Sequence, residues 1–185
     1  MERAKNNQIK KTMNILTNDP SFTAWGWAIV NEVEDVVDHG CIKTAPDYKK
    51  KRIRKSDDRI QRAEWIISHL YNLVDEYKVE LILTELPHGS QNAQAAIMIG
   101  MVAGILATLA FSRNIPIEYY SEQDAKKALL GKKAATKDDI IEAVGKLYDT
   151  VAWTGIKYVD EAVADALAIH NVANQQSQLL KMMKR

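Results

Sequence analysis

Two short apolar runs, "MNILTND" (13–19) and "AWGWAIV" (24–30), are separated by a polar break holding Pro20, Ser21 and Thr23, and a third, "VVDHGCIKT" (36–44), follows closely. Runs of this length bounded by turn residues predict strands, and turns this short predict an antiparallel meander. The period then changes. Over 57–77, Ile60, Ala63, Ile67, Leu70 and Val74 recur at spacings of three and four, which predicts one face of a helix. "VELILTEL" (79–86) is a continuous apolar run with a helix on each side, the pattern of a central parallel strand. A helix apolar nearly all round is predicted over 92–112, a strand over 115–120, two short helices over 123–130 and 136–148 with Gly131 between them, and a last helix over 160–174. This order predicts an α/β fold: a five-stranded mixed sheet, with a three-strand antiparallel meander plus two parallel strands, and helices on both faces.

A chain of 185 residues fits one domain. The domain is expected over 13–178, after a basic extension (1–12) and before a basic tail (179–185). The most apolar stretch, 95–111, is shorter than a bilayer span and reads as a buried helix, and the N-terminus has no apolar core of a signal peptide. A single cysteine, Cys41, excludes an internal disulfide and fits a reducing, cytoplasmic setting. Net charge is only +1, so the basic residues matter through their placement. "KKKRIRK" (49–55) and the five lysines of 124–139 are solvated loops on the plain reading and phosphate-binding surface on the sharper one.

The acids are placed more tellingly. Asp19 and Glu85 each close an apolar strand, and an Ala-rich helix carries Asp160, Glu161 and Asp165. Glu161 and Asp165 are four apart and share a helix face. Carboxylates that converge repel one another unless protons or cations settle them. Oxygen ligands suit Mg²⁺ or Mn²⁺, and two such ions about 3.5–4 Å apart can activate a water against a phosphodiester. The sequence carries no zinc spacing, no GxSxG and no P-loop. Singly, each acid has a plainer reading as a turn, cap or surface residue, with Asp160 a good N-cap. Together they point to a metal site without naming a substrate.

The same residues resemble a known family. From about residue 13 nearly the whole chain is similar to RuvC-type Holliday-junction resolvases of the RNase H-like nuclease superfamily. "ILTNDPSFTAWGWAIV" resembles the family's opening hairpin, with Asp19 as the first catalytic acid and Asn18 where an apolar residue is usual. "ELPHGSQNAQAAIMIGMVAG" resembles the second block, in which a catalytic Glu, here Glu85, precedes an Asn-Ala helix start at Asn92. "QDAKKALLGKKAATKDDI" resembles the third, with Lys126, Gly131 and Lys137 at the family's spacing, and "ADALAIH" the closing helix, with Asp165. There are two departures. An acid or His usually stands three residues before the final Asp, where this chain has Ala162; Glu161 is the better substitute and Asp160 the runner-up. An aromatic wedge usually stands where this chain has His88.

The resemblance implies a nuclease that uses Mg²⁺ or Mn²⁺, two ions per site, with Asp19, Glu85, Glu161 and Asp165 as ligands and Asp160 as the alternative. It implies Lys126 and Lys137 at the scissile phosphate. DNA contacts would come from His88, Lys50, Lys51, Arg52, Arg54, Lys127, Lys132 and Lys133. It also implies paired symmetric nicks leaving 5′-phosphates, a homodimer through helix 92–112 where Gly100 and Gly104 allow close approach, and, from the diverged pattern, a bacteriophage member. Two alternatives remain, a related nuclease for another nucleic acid and a catalytically inactive junction-binding module; a fragment of a sugar-kinase or actin-type ATPase is opposed by only eight glycines and the lack of a second such hairpin.

Overall fold

The computed structural model describes residues 12–47 and 53–184. Strands β1 (Asn14–Asp19), β2 (Ala24–Asn31) and β3 (Val36–Lys43) are followed by helix α1 (Lys55–Glu76), strand β4 (Val79–Glu85), helix α2 (Ala93–Arg113) and strand β5 (Ile117–Tyr120). Helices α3 (Glu122–Leu130), α4 (Lys137–Leu147), α5 (Lys157–Gln176) and α6 (Gln178–Met183) complete the chain. The five strands form one sheet in the order β3-β2-β1-β4-β5. The meander β1-β2-β3 is antiparallel, while β4 runs parallel to β1, and β5 to β4, as the apolar patterns predict.

The two-residue period of the strands divides the core. Ile15, Ala28, Leu81 and Leu83 pack under α3, α4 and α5. Leu16, Ile29 and Ile82 pack on the opposite face, under α1 and α2. Asp19 and Glu85 continue the first set, so both acids emerge at strand ends on the α5 side. Asn18 points the other way into the core, fully buried, and its side chain is satisfied there. It accepts from Trp25 Nε1 at 3.0 Å and donates to Leu83 O at 3.3 Å. The unusual Asn and the buried Trp therefore belong together: either alone would leave a polar group unpaired in the core.

Two expectations are corrected. Ile60 does not join the buried face of α1 but is 55% exposed, and the inward positions are Asp58, Arg62, Ala63, Ile66, Leu70 and Val74. Arg62 turns inward because it has partners there, donating to Thr44 Oγ1 at 2.8 Å and Phe22 O at 2.9 Å. Helix α2 is not a buried helix. It is long and apolar enough to cross a membrane by length and composition, yet only 28% of its most apolar stretch is buried. Val102, Ile105, Leu106 and Leu109 face the core, leaving Ile97 and Phe111 exposed. Beyond α5 the chain continues as α6, with Leu180 buried against the core.

Candidate active site

The site is assembled where three elements meet. β1 stops at Asp19 because Pro20 cannot continue the ladder. Asp19 pairs with Gly26 on β2, and Gly26 pairs with Cys41 on β3, so the three lie in one row across the sheet. α5 is pressed onto this row. A Cβ added at Gly26 would lie 2.1 Å from the Ala162 carbonyl oxygen, so only glycine fits beneath the helix. Thr17 Oγ1 donates to Ala166 O at 2.6 Å, fixing the helix against β1. That contact brings Asp165 over Asp19.

Asp165 is ion-paired with Lys137. Lys137 is the first residue of α4, held there by a capping box between Thr136 and Asp139. Glu85 ends β4 beside Tyr120 of β5, and the chain beyond β5 turns at once into α3, capped by Ser121. Glu122, the first residue of α3, therefore comes beside Glu85. Ligand atoms of Glu85, Glu122 and exposed His88 lie within 4.8 Å of one another. Lys126, one turn along α3, donates to Glu122.

The charges in this group are crowded. Burial pushes the Asp19 carboxyl well above the usual range, and the charges of Asp165 and Glu85 push it further, against Lys137. Burial also raises Glu85, to about 7, helped by Glu122 and Asp165 and opposed by His88 and Lys137. Asp165 is raised by burial despite its bond from Lys137, whereas the bond from Lys126 lowers Glu122. The mutual repulsion among these carboxylates is what a divalent cation would relieve. The carboxylate oxygens match the donors that Mg²⁺ and Mn²⁺ accept, and the acids therefore fit the ion.

The other sequence-derived candidates are distributed as follows. Asp160 faces away from the site: its carboxylate accepts from Thr154 N and Gly155 N, both at 2.9 Å, and from Thr154 Oγ1 at 2.8 Å. Glu161 pairs with Lys157 at 3.8 Å and is not among the principal charges bearing on Asp19, Glu85 or Asp165. Ala162, where the resemblance leads one to look for an acid, is packed on Gly26. His88 lies with Glu85 on the rim of a cavity of about 290 Å³, whose other walls include Pro20, Phe22, Met98, Ile99 and Val102. Asn92 caps α2, accepting from Gln94 N and Ala95 N, and Gly131 ends α3 in the left-handed region at φ 71°. Lys127, Lys132 and Lys133 are exposed on α3 and the turn after it, and Arg54 is exposed at the start of α1. Lys50, Lys51 and Arg52 lie outside the described residues. Glu122 was not singled out in sequence, since an acid in a first helical turn is ordinary. The signal was its position directly after a strand parallel to the one ending in Glu85.

A mixed sheet in this order, with acids ending two neighbouring parallel strands and a third supplied by a helix across them, is an RNase H-like fold with an acidic site at its strand ends. Solved structures share the fold. They include Thermus thermophilus RuvC in complex with a Holliday junction substrate (TM-score 0.67, 20% identity, 88% of this chain and 93% of that one). Another is the yeast mitochondrial Holliday junction resolvase Ydc2 (TM-score 0.62, 14% identity, 97% and 85%). The profile of the family "Crossover junction endodeoxyribonuclease RuvC" matches residues 15–172, and the chain belongs to that family. Crossover junction endodeoxyribonuclease RuvC of Protochlamydia amoebophila is 29% identical over 171 residues, covering 90% of this chain and 93% of the relative. That of Pseudothermotoga lettingae is 30% identical over 135 residues, covering 71% and 78%.

Proposed function

We propose that this protein is a crossover junction endodeoxyribonuclease that resolves four-way DNA by paired, symmetric nicks, working in the cytoplasm as a homodimer. The observation that carries this is the convergence of Asp19, Glu85 and Asp165 from two neighbouring strand ends and one crossing helix, in a chain of the RuvC family. These three acids hold Mg²⁺ or Mn²⁺, two ions per site. When bound, the ions lower the pKa of water and neutralise phosphate charge. Lys137 and Lys126, already turned to the carboxylates, are in reach to place positive charge on the reacting phosphate as negative charge develops there. Arg54, Lys127, Lys132 and Lys133 add contacts to phosphates away from the cut, the salt-sensitive part of the affinity. The exposed stripe of α2 is the dimer surface, and a two-fold dimer meets a roughly two-fold junction with one site per strand.

The test is cleavage of a labelled four-way junction beside a linear duplex and an RNA–DNA hybrid, with Mg²⁺, with Mn²⁺ and with chelator. Symmetric nicks confined to the junction, lost with chelator and with Asp19→Asn, are expected. Cutting of the hybrid in preference to the junction would move the protein to another substrate class. Tight junction binding without any nicking would make it a binding module.

A further inference from the structure

We propose that Glu122 supplies the carboxylate that position 162 lacks, and that Glu85, Glu122 and His88 form the second half of the ion-binding group, opposite Asp19 and Asp165. The inference deepens the nuclease reading and rests on it.

α5 has three further positions from which a fourth ligand could come, and in the structure none of them is turned to the other acids. Asp160 spends both its oxygens on the 154–155 backbone and Thr154. Glu161 is turned to Lys157. Residue 162 is an alanine, 6% exposed and lying on Gly26. As α5 stands, Asp165 is the acid it turns toward Asp19. Across the site, the parallel pairing of β4 and β5 puts Glu85 opposite Tyr120, two residues before Glu122. The Ser121 cap fixes where α3 begins and so where Glu122 stands. Its carboxylate comes within 4.8 Å of ligand atoms on both Glu85 and His88, a spacing that one cation can bridge. The imidazole sets this group apart from an ordinary acidic patch, because it offers a third ligand atom without the repulsion that a third carboxylate would add.

Glu122 and Asp165 are also treated alike by their surroundings. Each holds one lysine, Lys126 on Glu122 and Lys137 on Asp165. In both pairs the ammonium occupies the place of a counter-charge to the carboxylate. An ion held by these carboxylates would compete with the ammonium for the same oxygens.

The experiment measures Mn²⁺ binding to the full chain without DNA, counting free Mn²⁺ by electron paramagnetic resonance, for wild type, Asp19→Asn, Glu122→Gln and Lys126→Met. Circular dichroism confirms that each variant is folded. Glu122→Gln is expected to weaken Mn²⁺ binding by on the order of tenfold or more. Lys126→Met, which removes the competing cation, is expected to tighten it. If Glu122→Gln leaves Mn²⁺ binding unchanged while Asp19→Asn weakens it, Glu122 only holds Lys126 and the proposal is wrong, though the nuclease reading stands. If wild type binds no Mn²⁺, or Asp19→Asn makes no difference, both readings fall together.

Discussion

Glu85 shows at the residue scale what the crowding costs. Its pKa is raised to about 7 from the ordinary 4.5, so the folded chain holds this proton more tightly than the unfolded one. The stability gained is complete below about pH 4.5 and is lost as pH rises through about 7. Asp19 is shifted in the same direction and adds to the loss. Thermal unfolding of the metal-free protein should therefore show a falling melting temperature across that window. Millimolar Mg²⁺ or Mn²⁺ should restore it at the upper end, and Glu85→Gln should flatten the profile. Asp160 is the opposite case, a carboxylate whose partners are all in place. Asp160→Ala strands three donors at the start of α5 and should cost about 1–3 kcal/mol in urea denaturation. Mn²⁺ affinity should not change, a result that separates a holding acid from a ligand.

At the scale of elements, the contact between α5 and β2 decides whether the site exists. Gly26→Ala would drive a methyl into the Ala162 carbonyl, with backbone on both sides and no flexible group to yield. A loss of about 3 kcal/mol in denaturant unfolding is expected, with Asp165 drawn away from Asp19 and nicking lost in proportion. The strand and helix periods were enough to predict the sheet, its directions and the strand ends carrying Asp19 and Glu85, because burial on one or both faces writes itself into spacing. They misplaced Ile60, since Arg62 is drawn inward by Thr44 and Phe22, partners distant in sequence. They also left the acids of α5 undivided. Asp160, Glu161 and Asp165 sit close together in sequence, and what separates their roles is a loop at 154–155 and the rotation of one helix. Glu122 stayed hidden for a related reason: β5 is four residues long, and no local pattern announces which residue follows its end at the site.

Over the whole molecule, α2 is the element with an uncovered apolar stripe. A Cβ at Gly100 or Gly104 meets nothing within 4 Å in the single chain. Gly104→Leu should therefore leave the fold intact, with unchanged circular dichroism, yet shift sedimentation from dimer to monomer if the exposed stripe pairs two copies. Paired nicking should then give way to single, uncoordinated cuts. The row that runs from Asp19 through Gly26 to Cys41 has a practical consequence of its own. The chain's single thiol is raised first by burial and then by the negative charge of Asp19, with Lys43 pulling the other way. Neutralising Asp19, by a cation or by Asp19→Asn, removes part of what suppresses the thiolate. Alkylation of Cys41 by iodoacetamide should then quicken, so that the protein carries a chemical clock for the occupancy of its own site, readable by mass spectrometry with no DNA in the tube.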